Sequence, residues 1–164
     1  MALDVVLGDR AVSEVVFTRQ NWFPRAVRED GDLLLEVVGG ADALHDPRTF
    51  TVPVVEEHVT ALRNSLSRHL LLYSAFLPLC HAAGSSGPLD ERAAAALLDA
   101  VLFGSQEEVD ALFGRIRWDR PCLIAHGASV KLLARGKVFA AAQSATPTSN
   151  WDRVRRYDAK RTRG

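Results

Sequence analysis

Apolar residues alternate with polar ones in the first third of the chain and recur at three- and four-residue steps after residue 55. The first pattern is that of strands with one buried face, the second that of a helix with one buried stripe. Residues 14–19 (Glu14-Val15-Val16-Phe17-Thr18-Arg19) are β-branched and apolar. Residues 23–28 and 33–38 flank Asp30-Gly31, a strong hairpin signal because glycine takes positive φ without strain. Pro24 removes a ladder donor, which predicts an edge strand or a bulge there. Gly39-Gly40 ends the third run, and residues 49–54 alternate again through Phe50, Val52 and Val54. An antiparallel sheet of three to four strands follows from this, with residues 4–7 as a further candidate.

Val59, Leu62, Leu66, Leu70, Tyr73 and Leu77 then predict one long central helix. Glu56 and Glu57 suit its first turn, where the helix dipole favours anions. From Leu70 onward it is apolar nearly all round, so its second half should be buried in the core or in a subunit interface. Pro78 should kink or end it, since proline cannot donate to the carbonyl of Ser74. Gly84-Ser85-Ser86-Gly87-Pro88 reads as a breaker loop. A helix over residues 90–103 follows. Ser105 with Glu108 forms a capping-box pattern for a helix running to about residue 117. Asp119 before Pro121 marks another start, and two shorter helices divided near Gly127 or Gly136 come next. Ser149 with Asp152 opens a basic terminal helix. The fold class expected is α+β: an N-terminal antiparallel sheet packed on a long central helix, with a helical C-terminal half. No linker or repeat divides residues 1–164, so one domain is expected.

Composition changes this picture little. A chain of 164 residues with 48% hydrophobic side chains has enough material for one core. Cys80 and Cys122 sit among apolar neighbours and read as buried free thiols. Met1-Ala2-Leu3-Asp4 lacks the basic start of a signal peptide, and the longest apolar stretch is far too short to span a bilayer. A cytoplasmic protein without membrane association is therefore expected. Charge changes the picture more. Residues 1–55 and 56–119 each hold five basic and nine acidic side chains, whereas residues 120–164 hold ten basic and two acidic. The zero net charge thus hides a division that points to an anionic partner or to internal pairing.

The candidate chemistry is sparse. His45 and Asp46 could act as an acid–base or metal-binding pair, yet adjacent residues seldom converge on one ion and no third ligand is visible. A turn in which Asp42 and Asp46 accept backbone amides is the plainer account. Cys80-His81 would form a thiolate pair only if the helix were already broken, because helical neighbours point about 100° apart. His58 and His69 are eleven residues apart, about 16 Å along a helix, too far for one metal. His58 could still line a pocket floored by the sheet. Ser85 and Ser86 lack the nucleophile-elbow spacing. Residues 151–164 hold six basic and two acidic side chains, among them Arg153, Arg155, Arg156, Lys160 and Arg161, with Trp151 and Tyr157 interleaved. They could engage phosphates, although Asp152 and Asp158 dilute the patch.

Four stretches carry a resemblance. They are Phe17-Thr18-Arg19-Gln20-Asn21-Trp22-Phe23-Pro24-Arg25, Arg28-Glu29-Asp30-Gly31-Asp32, His69-Leu70-Leu71-Leu72 and Pro88-Leu89-Asp90-Glu91. Together they resemble an uncharacterised family of actinobacterial proteins, a domain of unknown function. The resemblance implies no activity, cofactor or catalytic residue. The first functional expectation is a non-enzymatic interaction protein, an accessory, regulatory or immunity-like module that binds another protein or itself. The second is a small enzyme or ligand binder with a pocket between sheet and central helix, using His45, Asp46 or His58. The third is an anion or nucleic-acid binder acting through Arg153, Arg155, Arg156, Lys160 and Arg161. No cofactor and no metal are expected.

Overall fold

A computed structural model describes residues 13–20 and 22–145. Its sheet is a four-stranded antiparallel meander in the order β1 (Ser13–Arg19), β2 (Trp22–Glu29), β3 (Asp32–Gly39), β4 (Arg48–Pro53). Asp30 and Gly31 turn the β2–β3 hairpin, both at positive φ (51° and 86°), as a two-residue turn matching strand twist requires. Alternation then sorts the faces. Ala26, Leu35 and Val52 align across three strands, as do Val37 and Phe50 across two, and all five are buried on the helix side. On the other face Arg25 lies opposite Glu36, with Nε 2.7 Å from Oε1.

Pro24 is not on an edge, because β2 lies between β1 and β3. The other expectation at this position, a bulge, is what forms: Trp22 to Ala26 of β2 face only Phe17 to Arg19 of β1, and pairing to β3 starts at Arg25. The proline therefore falls where no ladder needs its missing donor. Its carbonyl accepts a hydrogen bond from Nε2 of the buried His69 at 2.8 Å.

The long helix is two helices. α1 (Glu56–Asn64) ends and α2 (Leu66–Ala83) begins at Ser65, whose backbone is extended and whose hydroxyl accepts from the Arg68 amide. A serine side chain that bonds local backbone offers the chain this alternative to a continued helix. The apolar stripe runs through the break, so the periodicity is blind to it. His58 and His69 accordingly lie on different helices.

α2 packs on β2 and β3 and also touches α1, α3 (Glu91–Phe103), α5 (Arg120–Ala125) and α7 (Val138–Gln143). Covered on so many sides, it buries Leu70, Leu71, Leu72, Ala75 and Phe76 at consecutive angles around its axis. Pro78 does not end it. The Ser74 carbonyl that loses its helical partner instead accepts from the Asp119 amide at 2.7 Å, and α2 runs on to Ala83.

Asp90, Ser105, Asp119 and Ser129 cap α3, α4 (Gln106–Phe113), α5 and α6 (Val130–Ala134), each accepting a backbone amide of the first turn. α4 stops at Phe113, earlier than expected, and the tail is divided at both Gly127 and Gly136, giving three short helices. Arg68 ties α2 to α3 by donating to the carbonyls of Val101 and Gly104 (2.8 Å each), while its guanidinium lies 4.9 Å from the Phe139 ring centre. Sheet and helices share one cluster of buried apolar side chains. Among the described residues no helix is long and apolar enough to cross a membrane.

Candidate functional site

Two close approaches build a cleft at one end of α2. At the first, β3 runs into the last turns of the helix. A Cβ on Gly39 would lie 2.9 Å from the Cβ of Cys80, and Gly40, at φ +77°, would set one 3.1–3.2 Å from the carbonyls of Gly84 and Cys80. Only glycine lets strand and helix meet so closely here.

The second approach is the proline notch. The Asp119 amide that serves the Ser74 carbonyl brings the segment after α4 down onto α2. That segment is pinned at three further points. Ile116 donates to the Leu112 carbonyl, Trp118 Nε1 donates to the Phe113 carbonyl (3.1 Å), and the Asp119 carboxylate accepts the Cys122 amide (2.9 Å). Held this way, Arg117 remains exposed, and among the described residues it makes no hydrogen bond or ion pair.

Two hollows open on either side of this segment. One, about 700 Å³, lies between Gly39–Ala41, the Leu77–His81 turn of α2 and residues 116–119. The other, about 640 Å³, lies between α2, α3 and the end of α4, and five alanines line it: Ala75, Ala82, Ala93, Ala96 and Ala100. They share Pro78, His81, Ile116 and Arg117, so two cationic or ionisable side chains stand on the ridge between them. The alanine-lined slot has no carboxylate in its wall; the other hollow has one, Asp119, already engaged as a helix cap.

Nearby titratable groups are shifted against reactivity. Burial pushes the Cys80 thiol up to about 11. Burial, followed by the charge of Asp119, pushes Cys122 up to about 12. Both thiols are free and stay protonated at neutral pH, so neither is a ready nucleophile. The Tyr73 hydroxyl is raised to about 12, mainly by burial.

The residues singled out in the sequence lie elsewhere. His45 sits on the β3–β4 loop and pairs with Asp42, not with its neighbour Asp46: Nδ1 is 2.9 Å from Asp42 Oδ1. Asp42 also accepts the amides of Leu44 and His45 (2.8 Å each), an aspartate turn. Those amides and the imidazole hold its carboxyl below the usual range. Asp46 is exposed.

His58, on α1, uses both ring nitrogens. Nδ1 accepts the Val55 amide (3.1 Å), which leaves Nε2 to donate to Asp99 Oδ1 (2.8 Å), and the ring stacks on Phe103. No nitrogen remains to take a proton from a substrate. Neither hollow is lined by His45, Asp46 or His58, and no bond among the described residues joins the loop pair to His58. Arg153, Arg155, Arg156, Lys160 and Arg161 lie outside the described residues. Among the described residues no three His, Cys, Asp or Glu side chains gather as a metal site.

In the sequence Arg117 carries no signal as a site residue, and His81 stands out only as the neighbour of Cys80. One trace of the slot is present: alanines at 93, 96 and 100 mark one face of α3, since residues three and four apart are neighbours on a helix. A family model described as a family of unknown function (DUF6357) matches residues 12–164. No curated protein and no solved structure matches the chain.

Proposed function

From the premise that the chain belongs to the DUF6357 family, whose function is unknown, we propose that it is a cytosolic binding module. Its ligand site is the cleft between the end of β3, α2 and the segment before α5. The observation that carries this reading is the pair of hollows meeting at His81 and Arg117. Ligand sites are typically concave spaces of roughly 300–1,000 Å³ with apolar walls and a few convergent polar groups. Both hollows fall in that range, at about 700 and 640 Å³, and both reach the same two polar side chains.

Other expectations draw less support. A protein partner on the apolar second half of α2 draws less support, because the sheet, α3, α5 and α7 pack on that helix and leave mainly the residues from Leu77 to Ala82, which line the hollows, in reach of a partner. Catalysis at His45, Asp46 or His58 would require those groups to converge within hydrogen-bond reach, and their observed bonds run to Asp42, Asp99 and backbone instead. Anion binding by Arg153, Arg155, Arg156, Lys160 and Arg161 rests on composition alone. A cytosolic setting suits two free thiols, which a reducing compartment preserves.

Ligand-observed NMR with a library of small organic acids, amines, alcohols and heterocycles tests the reading. Ala41→Trp and Ala96→Trp fill the two hollows from exposed positions. Ligands that bind the wild-type chain should lose binding in one variant or the other. A library without hits, or hits indifferent to both substitutions, would refute the assignment.

A further inference from the structure

The geometry points to a ligand class for this cleft: an amphipathic carboxylic acid, with its hydrocarbon body in the alanine-lined slot and its carboxylate between His81 and Arg117. The inference rests on the reading of the cleft as a ligand site, and adds the chemistry.

Three observations carry it. The slot's wall is mostly apolar, because α2 and α3 face each other across it with five alanines, together with leucines and Ile116, among the lining side chains. Such a wall offers a ligand no hydrogen bond along its length, so it favours unbroken hydrocarbon over a polar chain. Where it meets the other hollow the wall changes character at the exposed His81 and Arg117, which both hollows share. Arg117 is exposed and makes no ion pair among the described residues; the same segment carries exposed Arg115, and exposed Arg120 opens α5. Asp119, the carboxylate in the cleft wall, keeps its negative charge while it caps α5. Arg115, Arg117 and Arg120 outnumber it, so the local charge still favours an anion at the ridge. A guanidinium binds a carboxylate through two parallel N–H donors, a fit that neither an alcohol nor an amine can match.

The test is a matched panel on the full chain: hexanoate, octanoate, decanoate, decanol and decylamine. Titration calorimetry reads affinity, and ¹³C-methyl shifts of Ala93 and Ala96 read location. Affinity should rise from hexanoate to decanoate by roughly fourfold per methylene, or about 0.8 kcal/mol. Decanoate should bind more tightly than decanol by on the order of tenfold, as a charge-assisted bond requires, and decylamine should bind weakest. Arg117→Gln should cost decanoate about fivefold while leaving decanol unchanged, a split that general damage to the cleft could not produce. Both Arg117 and Ala96 are exposed, so folding should survive substitution, and circular dichroism checks that directly.

Decanol binding as well as decanoate, with both moving the alanine methyls, overturns the acid assignment and leaves the cleft standing as a ligand site. A panel that moves no alanine methyl removes the acid inference, while the ligand-site reading stands or falls with the NMR library and the two tryptophan variants. A dimer detected by light scattering and dissociated by Ala96→Trp gives the slot to a second copy of the chain, and the acid inference falls with it.

Discussion

At His69 the two ring nitrogens have different fates. Nε2 donates to the Pro24 carbonyl, while Nδ1 is buried with no hydrogen-bond partner, on a ring that neighbours those of Phe17 and Trp22. Burial above all, with smaller contributions from Arg19 and His126, lowers its pKa to about 4. The ring is neutral in the folded chain, and protonation favours the unfolded one. A histidine free in the unfolded state titrates near 6.5. The contribution of His69 to stability is thus fully present above about pH 6.5 and is lost as pH falls toward 4, where the folded form also takes up the proton. The whole difference is on the order of 3 kcal/mol. Urea denaturation between pH 7.5 and 4 should show stability declining through this window. In His69→Gln, which can still donate to Pro24, the decline should shrink by about one proton.

On the scale of elements, the junction of α2 with the segment before α5 connects fold to site. Proline inside a helix costs about 3 kcal/mol relative to alanine, through a lost hydrogen bond and a steric clash. Here the bond is replaced, because the Asp119 amide occupies the Ser74 carbonyl. Pro78→Ala would add a competing donor from the helix itself. The substitution should therefore stabilise the protein by clearly less than 3 kcal/mol, since the carbonyl it would satisfy is already satisfied. Amide exchange at Asp119 should quicken, reporting release of the segment from α2. Full recovery of the helical gain with unchanged exchange would mean that the long-range bond contributes nothing.

For the molecule as a whole, one cluster of buried apolar side chains joins sheet and helices. Leu35 belongs to it, fully buried at the centre of β3 between Ala26 and Val52. Leu35→Ala should cost about 3 kcal/mol, from lost transfer energy and the cavity left behind. With one core, that loss should appear equally in helical circular dichroism and, in a Trp118→Phe, Trp151→Phe background, in the fluorescence of Trp22, which is buried in the same cluster. Two separated transitions would show that sheet and helices unfold independently. The charge division also belongs to this scale. Among the described residues no ion pair involves the basic side chains after Asp119, so the pairing of that segment with the acidic front has no support there.

Local chemistry by itself determined the strands, their hairpin turn and the starts of α1, α3, α4 and α5. Alternation needs only a buried and an exposed face, Asp30-Gly31 needs only the freedom of glycine, and Asp90, Ser105 and Asp119 cap through amides three residues away. It also identified the apolar character of α2, though not what covers that helix. What joins distant segments was decided in three dimensions. A serine that could face solvent breaks the long helix, and the Asp119 amide, 45 residues beyond the Ser74 carbonyl, replaces the bond that Pro78 removes. The cleft is legible least of all. Its walls come from β3, α2, α3 and the segment after α4, and its ridge pairs His81 with Arg117 across 36 positions of sequence. The prominent neighbours in sequence, His45 and Asp46, do not pair at all, because adjacency along a chain says little about where side chains meet.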